Sequence, residues 1–274
     1  MIASRSVALV CLFLFAGFPA GDLLARAAPN PPSQIGIGVT RDPVALGLVN
    51  QALVLLNGGT ALTDVTVQAT VNYYGDGSEE TGTATLYAIG DSESLLVMNL
   101  SAGEQQEVRN GQAGAWVHAD GSIFSEATHN CWVDATWFFP GLVFTNLAVN
   151  TQNALVNLGS GTWNGSSAND IQTYQAPTSQ NATVTQVIQS LSTETVWLDP
   201  KSGLPLAIDF NLHSDTNATI SVPAEIQFSN YQTVNGMTIP YSVQKYVSGQ
   251  LLLDVTVTSV TVNSGLSQGL FVIP

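Results

Sequence analysis

Two short groups of side chains carry the residue types that metal sites and nucleophilic catalysis require. His118 and Asp120 form an H-x-D pair, and His129 and Cys131 form an H-x-C pair soon afterwards. Imidazole, carboxylate and thiolate groups all bind zinc and related transition metals, so two such pairs on neighbouring strands could converge on one ion. A metal-dependent enzyme centred on His118, His129 and Cys131 is therefore one hypothesis for function.

Local turn chemistry explains the same residues without a metal. Asp120 precedes Gly121, and Asp-Gly is typical of tight hairpin turns, while neither spacing is an established metal signature. Cys131 with His129 is the only local pairing of nucleophile and base, and on a helix the two would diverge by about 200°. The chain has no G-x-S-x-G, H-E-x-x-H or phosphate-binding glycine loop. We predict no catalytic residue, no resident metal and no cofactor.

The densest group of large apolar side chains lies around Pro140. It comprises Trp132, Trp137, Phe138, Phe139, Leu142, Val143 and Phe144. A buried aromatic ring contributes very roughly 2–3 kcal/mol, so this segment is not expected to stay exposed. Two interpretations remain open, a helix docked in the core or part of the wall of a ligand cavity. In the second, the ligand-binding residues are Trp132, Trp137, Phe138, Leu142 and Phe144.

Composition restricts the partners of the protein. The 274 residues are 45% hydrophobic and only 9% charged, with a formal net charge of −14. So apolar a chain can bury a core, which excludes general disorder. Its few Lys and Arg residues exclude nucleic-acid binding, and they exclude docking to an anionic membrane surface through a basic patch.

The first 27 residues have the pattern of a secretory signal peptide. Arg5 precedes an apolar run over residues 7–18, and small residues lead to Ala25-Arg26-Ala27. A run of this length falls short of the roughly 20 residues that a membrane-spanning helix needs. We therefore predict a single exported domain over residues 28–274, periplasmic or extracellular, with no integral membrane segment after cleavage. Cys131 would be its only cysteine, so no intrachain disulfide is expected.

Three segments have helical signals. The first spans residues 43–56 after the Asp42-Pro43 start signal, and it is so apolar that we expect it to be buried on most sides. The second covers roughly residues 132–148, with a kink or break at Pro140. The third covers residues 184–191.

The remaining chain alternates between apolar and polar residues, as in residues 65–73, 206–212 and 226–228, which is typical of antiparallel strands. Hairpin dipeptides separate such runs at Asp76-Gly77, Asn110-Gly111, Asp120-Gly121, Asn164-Gly165 and Asn235-Gly236. The alternation changes parity around Thr258-Ser259, which predicts a β-bulge. The sequence thus predicts one large antiparallel sheet with two or three apolar helices against one face.

The C-terminal third contains three further motifs, VWLDPKSGLPL at residues 196–206, FSNYQTVNGMTIP at 228–240 and LFVIP at 270–274. On these motifs it resembles the LolA/LolB-like superfamily of periplasmic lipoprotein carriers and their relatives. Each motif also has a local explanation: a turn at 199–203, a hairpin at Asn235-Gly236 and the closing of a strand by 270–274. The resemblance implies an α+β fold in which a strongly curved antiparallel sheet, an incomplete barrel, holds helices on its concave face over an apolar cavity.

These observations favour an exported, non-catalytic carrier or sensor that binds a lipid or another hydrophobic ligand. The alternative is a solidly packed structural or protein-interaction domain of the same fold. The second alternative is the metal-dependent enzyme.

Overall fold

A computed structural model describes residues 39–75, 77–177 and 181–274 of the chain. The predicted signal peptide, residues 1–27, lies outside the described residues. Within them the helices are α1 (Pro43–Asn57), α2 (Pro140–Val149) and α3 (Ala182–Leu191), with short 3₁₀ turns at Thr128–Trp132 and Gln268–Leu270. The strands are β1 (Asp64–Tyr73), β2 (Glu80–Ile89), β3 (Glu93–Leu100), β4 (Gly103–Asn110), β5 (Ala113–Val117), β6 (Ile123–Glu126), β7 (Asn153–Trp163), β8 (Ser166–Gln175), β9 (Glu194–Leu198), β10 (Pro205–Ser214), β11 (Asn217–Val234), β12 (Met237–Val247) and β13 (Gln250–Val262).

The 13 strands of the described chain form one antiparallel sheet that does not close. Its order is β6-β5-β4-β3-β2-β1-β13-β12-β11-β10-β9-β8-β7. Two meanders, β1 to β6 and β7 to β13, are therefore joined through the pairing of β1 with β13. The edge strands β6 and β7 do not pair with each other, and residues 127–152 connect them.

The sheet curves strongly around the helices. α1 contacts both β12 and β7, which lie five strand positions apart. In a flat sheet that separation is roughly 24 Å, whereas a helix with its side chains is only about 10–12 Å wide. The 3₁₀ turn Thr128–Trp132 likewise contacts β5 and β10 from opposite arms of the sheet. The predicted α+β fold, a curved and open antiparallel sheet with apolar helices on its concave face, is confirmed.

Helix α1 begins and ends close to its predicted bounds. The Asp42 carboxylate accepts hydrogen bonds from the amides of Val44 at 2.8 Å and Ala45 at 3.0 Å, which satisfies two free donors of the first turn. The helix ends at Gly58, whose φ of 56° suits glycine and where a Cβ would overlap the carbonyl of Gly236. The helix therefore lies directly against the turn between β11 and β12.

The expectation that α1 is buried on most sides is wrong. One face, which includes Ala45, Val49 and Ala52, is fully buried against the sheet. The opposite face leaves Val54 66% exposed and Leu55 40% exposed. The curved sheet covers the helix from one side only, and no described element packs over the other side in the same way.

The helix predicted over residues 132–148 is also wrong in its first half. α2 begins only at Pro140, and residues 133–139 between the 3₁₀ turn and α2 are irregular. Proline lacks the N–H that a continuing helix needs, and its ring disfavours helical geometry in the preceding residue, so Pro140 starts a helix rather than kinking one. Asp134, with φ of 54°, bends the chain further. The predicted third helix, 184–191, is confirmed within α3.

Hairpin and bulge predictions agree with the strand pairing. Each of the five predicted turn dipeptides falls between two consecutive paired strands, although Asp76 itself lies outside the described residues. Gln68 pairs with Ser259 and Ala69 with Val257, so Thr258 is the extra residue of a bulge. The β-bulge predicted around Thr258-Ser259 is thus confirmed.

The prediction that residues 270–274 close a strand is wrong. β13 ends at Val262, and the chain leaves the sheet where the Asp64 carboxylate accepts from the amides of Ser264 at 2.8 Å and Gly265 at 3.2 Å. The turn fixed by Asp64 directs the chain over the outer face of the sheet. Phe271 is fully buried there, in a small cluster with Leu95, Val108 and Ala115.

Apolar side chains of the concave face, α1, α2 and residues 133–139 form the main core. Arg41 connects the end of α2 to the edge strand β7. Its guanidinium donates at 2.7–2.9 Å to the carbonyls of Leu147, Ala148, Asn150 and Asn153. Within the described residues, no helix combines the length and the apolar character that crossing a bilayer demands.

Candidate functional site

A cavity of about 360 Å³ opens between the two arms of the curved sheet. Its outer wall includes the turns that follow β2 and β4, with Asp91 and Gln112. Its side walls are residues 131–137, one face of α2 and the ends of β7, β8 and β9. Three buried residues of the sheet interior also line it: Ile208, Phe210 and Ile226. The cavity therefore reaches from the surface toward the core.

The structure separates the five predicted ligand-binding residues into two groups. Trp132 and Trp137 line the cavity, and Trp137, 3% exposed, is also part of the main core. Phe138, Leu142 and Phe144 lie in the main core, at most 3% exposed, and do not line it. A ligand-binding role for the set remains a prediction, and the geometry favours the two tryptophans.

The cavity wall is mixed rather than purely apolar. Its acidic lining residues are Asp91, Asp134 and Glu194, and among the described residues that line it there is no Lys or Arg. Thr136, 1% exposed, also lines the cavity, and its hydroxyl has no hydrogen-bond partner among the described residues. Buried polar groups without a partner are rare in folded proteins.

Asp134 connects the irregular segment to both arms of the sheet. Its carboxylate, 2% exposed, lies 2.6 Å from the Lys245 ammonium on β12 and 3.3 Å from the Arg109 guanidinium on β4. β4 and β12 are five positions apart in the sheet, so this side chain bridges the interior of the barrel. The Lys245 ammonium also lies 5.3 Å from the ring centroid of Trp137, within cation–π range.

Arg109 gathers further partners around itself. Its Nε lies 2.9 Å from Glu126 Oε2, and its Nη2 lies 3.1 Å from Glu107 Oε1. Its Nη1 donates to the carbonyl of Asn130 at 2.7 Å, which holds the 3₁₀ turn as well. Parity explains the meeting of Glu107 with Arg109, because both point from β4 to the concave face.

Two cations and four carboxylates make up the ionic cluster, defined as Arg109, Lys245, Glu107, Glu126, Asp134 and Glu194. Burial alone would lower the pKa of Arg109 and of Lys245, but the surrounding carboxylates raise both above their ordinary values, so both stay charged. Burial raises the pKa of Glu126 despite Arg109, since Glu107 and Asp134 add to the effect. Protonation of two carboxylates would make the cluster neutral.

Glu194 lies where the ionic cluster meets the cavity. Burial raises its pKa to about 8, and the nearby charges of Asp134 and Asp91 act in the same direction. Only the amide of Asp134, which donates to Glu194 Oε1 at 3.4 Å, opposes this shift. Burial raises the pKa of Asp91 as well. The cavity therefore presents carboxyl groups that hold protons more readily than usual.

The three residues of the metal hypothesis do not meet. His118 packs against the rings of Trp116 and Phe124, whereas His129 packs against His213. Among the described residues no group of three or more His, Cys, Asp and Glu side chains is arranged to hold a metal ion. Asp120 accepts from the amide of Ser122 at 2.8 Å, as its turn position predicts.

Cys131 is unsuited to nucleophilic attack. It lies buried in the 3₁₀ turn, with its Sγ 3.8 Å from Glu126 Oε2. Burial raises the pKa of its thiol to about 12 despite Arg109, so it stays protonated at neutral pH.

Sequence reasoning missed Asp91, Asp134, Glu194 and the ionic cluster as a whole. One signal was available, because Lys245 has the same strand parity as the apolar Val243 and Val247. A lysine on the buried face of a strand needs an acidic partner. The sequence did not indicate which residue this partner is, because Asp134 lies 111 residues away in an irregular segment.

Solved structures share this architecture. A LolA superfamily protein from Nitrosomonas europaea superposes with a TM-score of 0.53 at 11% identity, over 84% of this chain and 97% of that one. The chain has a LolA-like fold. A Vibrio parahaemolyticus domain named for outer membrane lipoprotein sorting is similar to the same extent, with a TM-score of 0.51 at 12% identity, over 83% of this chain and 96% of that one. No protein-family model matches the chain, and no curated protein matches its sequence.

The structural similarity of the LolA-like fold extends over both meanders. The predicted resemblance, drawn from the C-terminal third, is thus confirmed at the level of the fold across most of the chain.

Proposed function

We propose that the protein is an exported, non-catalytic carrier or sensor that binds a lipid or another hydrophobic ligand inside its curved sheet. The observation that carries the proposal is the cavity beside Trp132 and Trp137, which continues to the buried side chains of Ile208, Phe210 and Ile226. Its volume of about 360 Å³ lies within the range of small-molecule sites. A similar structure that is named for lipoprotein sorting supports the same class of ligand.

Residues 133–139 are the part of the interior that a larger ligand would displace. They belong to neither the sheet nor a helix, yet they place Trp137 and Phe138 in the main core. An acyl chain entering from the cavity can replace these aromatic contacts with contacts of similar area. The ionic cluster would then set how readily the segment moves, because Asp134 holds it to β4 and β12.

The protonated state of Cys131 supports a role without covalent catalysis. The predicted signal peptide supports export, and residues 28–274 are proposed to act as one unit. Binding and release of an apolar ligand require no proton transfer or nucleophile.

Lipid extraction and native mass spectrometry of the purified protein test this function. We expect acyl-containing species bound to the wild-type chain. Trp132→Ala removes a cavity-lining ring and should lower ligand occupancy, whereas Trp163→Ala, a change to a half-buried tryptophan outside the cavity, should leave it unchanged.

Wild-type protein that is free of ligand, and that takes up no added lipid, would contradict the carrier. That result would favour the structural or protein-interaction alternative.

A further inference from the structure

We infer that the cavity selects amphiphiles with a cationic amine head group, which Asp91 and Glu194 hold while the apolar tail lies along Trp132 and Trp137. The inference rests on the proposed function and specifies its ligand class. It is argued from the distribution of charge, from an unpartnered hydroxyl and from the aromatic wall of the same cavity.

Some of the acidic groups that line the cavity have no cationic partner among the described residues. Asp134 is paired with Lys245 and Arg109, neither of which lines the cavity. Asp91 and Glu194 line the cavity as well, and neither forms an ion pair with a described residue. At a pH where Asp91 and Glu194 are ionised, a bound cation would supply the charge that this wall lacks, and the two carboxylates would repel an anionic head group.

Thr136 is an independent sign of a missing partner. It lines the cavity, it is 1% exposed, and its hydroxyl oxygen has no hydrogen-bond partner among the described residues. A primary ammonium group has three donors and no acceptor, which suits two carboxylates and one hydroxyl oxygen. A carboxylate head group has acceptors only, so it could not pair with Asp91 and Glu194 once both are ionised.

The aromatic wall suits both ends of such a ligand. The Trp137 indole already has a cation, the Lys245 ammonium, 5.3 Å from its ring centroid. Indole rings attract cations through their faces and also cover apolar chains, so one residue type accommodates head and tail. The buried Ile208, Phe210 and Ile226 continue the apolar wall beyond the two tryptophans.

Binding of the cation is coupled to loss of a proton. Without ligand, burial and the charges of Asp134 and Asp91 raise the pKa of Glu194 to about 8, so this carboxyl is largely protonated at neutral pH. An ammonium group beside it stabilises the ionised form. The affinity for an amine amphiphile should therefore increase from about pH 6 to about pH 8 and level off above. Lys245 and Arg109, behind Asp134, are charged over this whole range.

Equilibrium dialysis with three probes of equal chain length, each below its aggregation limit, tests the head group. Decylammonium should bind about tenfold more tightly than decanol at pH 8, and decanoate should bind most weakly. Glu194→Gln should remove both the preference for decylammonium and its pH dependence. Glu104→Gln makes the same change at an exposed carboxylate outside the cavity and should retain both.

The results distinguish a failure of the head-group inference from a failure of the proposed carrier function. If decanol or decanoate binds as tightly as decylammonium, the cavity holds apolar ligands and the head-group inference is wrong. If none of the three binds to folded protein, the proposed carrier function fails as well. Retention of the amine preference in Glu194→Gln, with the wild-type melting profile, would remove Glu194 from the site.

Discussion

Helix α1 and residues 133–139 both fill the concave side of the sheet, but different forces hold them there. α1 presents small apolar side chains such as Ala45, Val49 and Ala52, all fully buried. The irregular segment presents Trp137 and Phe138 together with Asp134, which is ion-paired to both arms of the sheet. Apolar packing is insensitive to pH, whereas a buried ion cluster balances large opposing terms.

Because of this difference, we expect α1 to stay packed in the core and residues 133–139 to detach more readily. Because the buried contacts of α1 are apolar, we expect them to change little with pH. The segment depends on the charge state of the ionic cluster, so changes in protonation or in a single carboxylate can loosen it alone. The proposed ligand binding requires that one part of the interior can be released.

Asp134→Asn should have the largest effect on the segment. It removes the carboxylate that forms ion pairs with both Lys245 and Arg109, at a cost of about 3–5 kcal/mol in the free energy of unfolding. Asparagine tolerates the positive φ at this position, so the change isolates the charge. Urea unfolding measures the loss, and hydrogen exchange should accelerate in residues 133–139 and α2 while the α1 amides stay protected.

Asp120→Asn is the matched control, because Asp120 is exposed and should change stability by less than about 0.5 kcal/mol. Equal acceleration of exchange in α1 and in the segment would show that the two regions form one cooperative unit.

Leu56→Ala should affect the other region by a comparable or smaller amount. Leu56 is 3% exposed in the main core, and its truncation should cost about 2–5 kcal/mol. Because the lost contacts are apolar, we expect the same loss at about pH 5 and about pH 8. Chemical unfolding at both pH values measures it, and a loss that varies strongly with pH would contradict the distinction between the regions.

A smaller effect is expected from pH in the unmodified protein. The pKa of Glu194 is raised from 4.5 to about 8 in the folded state, and that of Glu126 is also raised. The folded protein therefore binds more protons than the unfolded chain in this range, so stability falls as pH rises from about 4.5 to about 8. The melting temperature should drop by several degrees (on the order of 2–4 °C per kcal/mol) between about pH 5 and pH 8.5.

Glu194→Gln should flatten this pH profile and Glu104→Gln should not. A melting temperature that is constant or rises over this interval would show that the cluster carboxylates are ionised in the folded protein.

Local signals in the sequence account for most of the sheet. Asn-Gly and Asp-Gly pairs locate five hairpins because the glycine of each pair adopts a positive φ that few other residues tolerate. The bulge at Thr258 was visible because strand side chains alternate with a period of two, so one extra residue reverses the parity. These predictions depend on neighbours in the chain, which the sequence displays directly.

The helix predicted over residues 132–148 is wrong before Pro140, where contacts with residues distant in sequence determine the backbone path. The apolar content is compatible with a helix up to Pro140, yet Asp134 leaves helical geometry to reach Lys245 and Arg109. The placement of Phe138, Leu142 and Phe144 in the core and of Trp132 and Trp137 at the cavity follows from that irregular path. Helical spacing cannot predict it.

By itself the sequence determined an antiparallel sheet, its turns and two of its three helices, because backbone preferences and apolar periodicity act over a few residues. It also determined an acidic, weakly charged chain unsuited to nucleic acids. Only the tertiary structure decided which charged residues are buried together and which aromatic rings face a cavity. Curvature of the sheet brings β4, β12 and residues 133–139 within ion-pair distance, and the energy of a buried charge depends on such long-range placement.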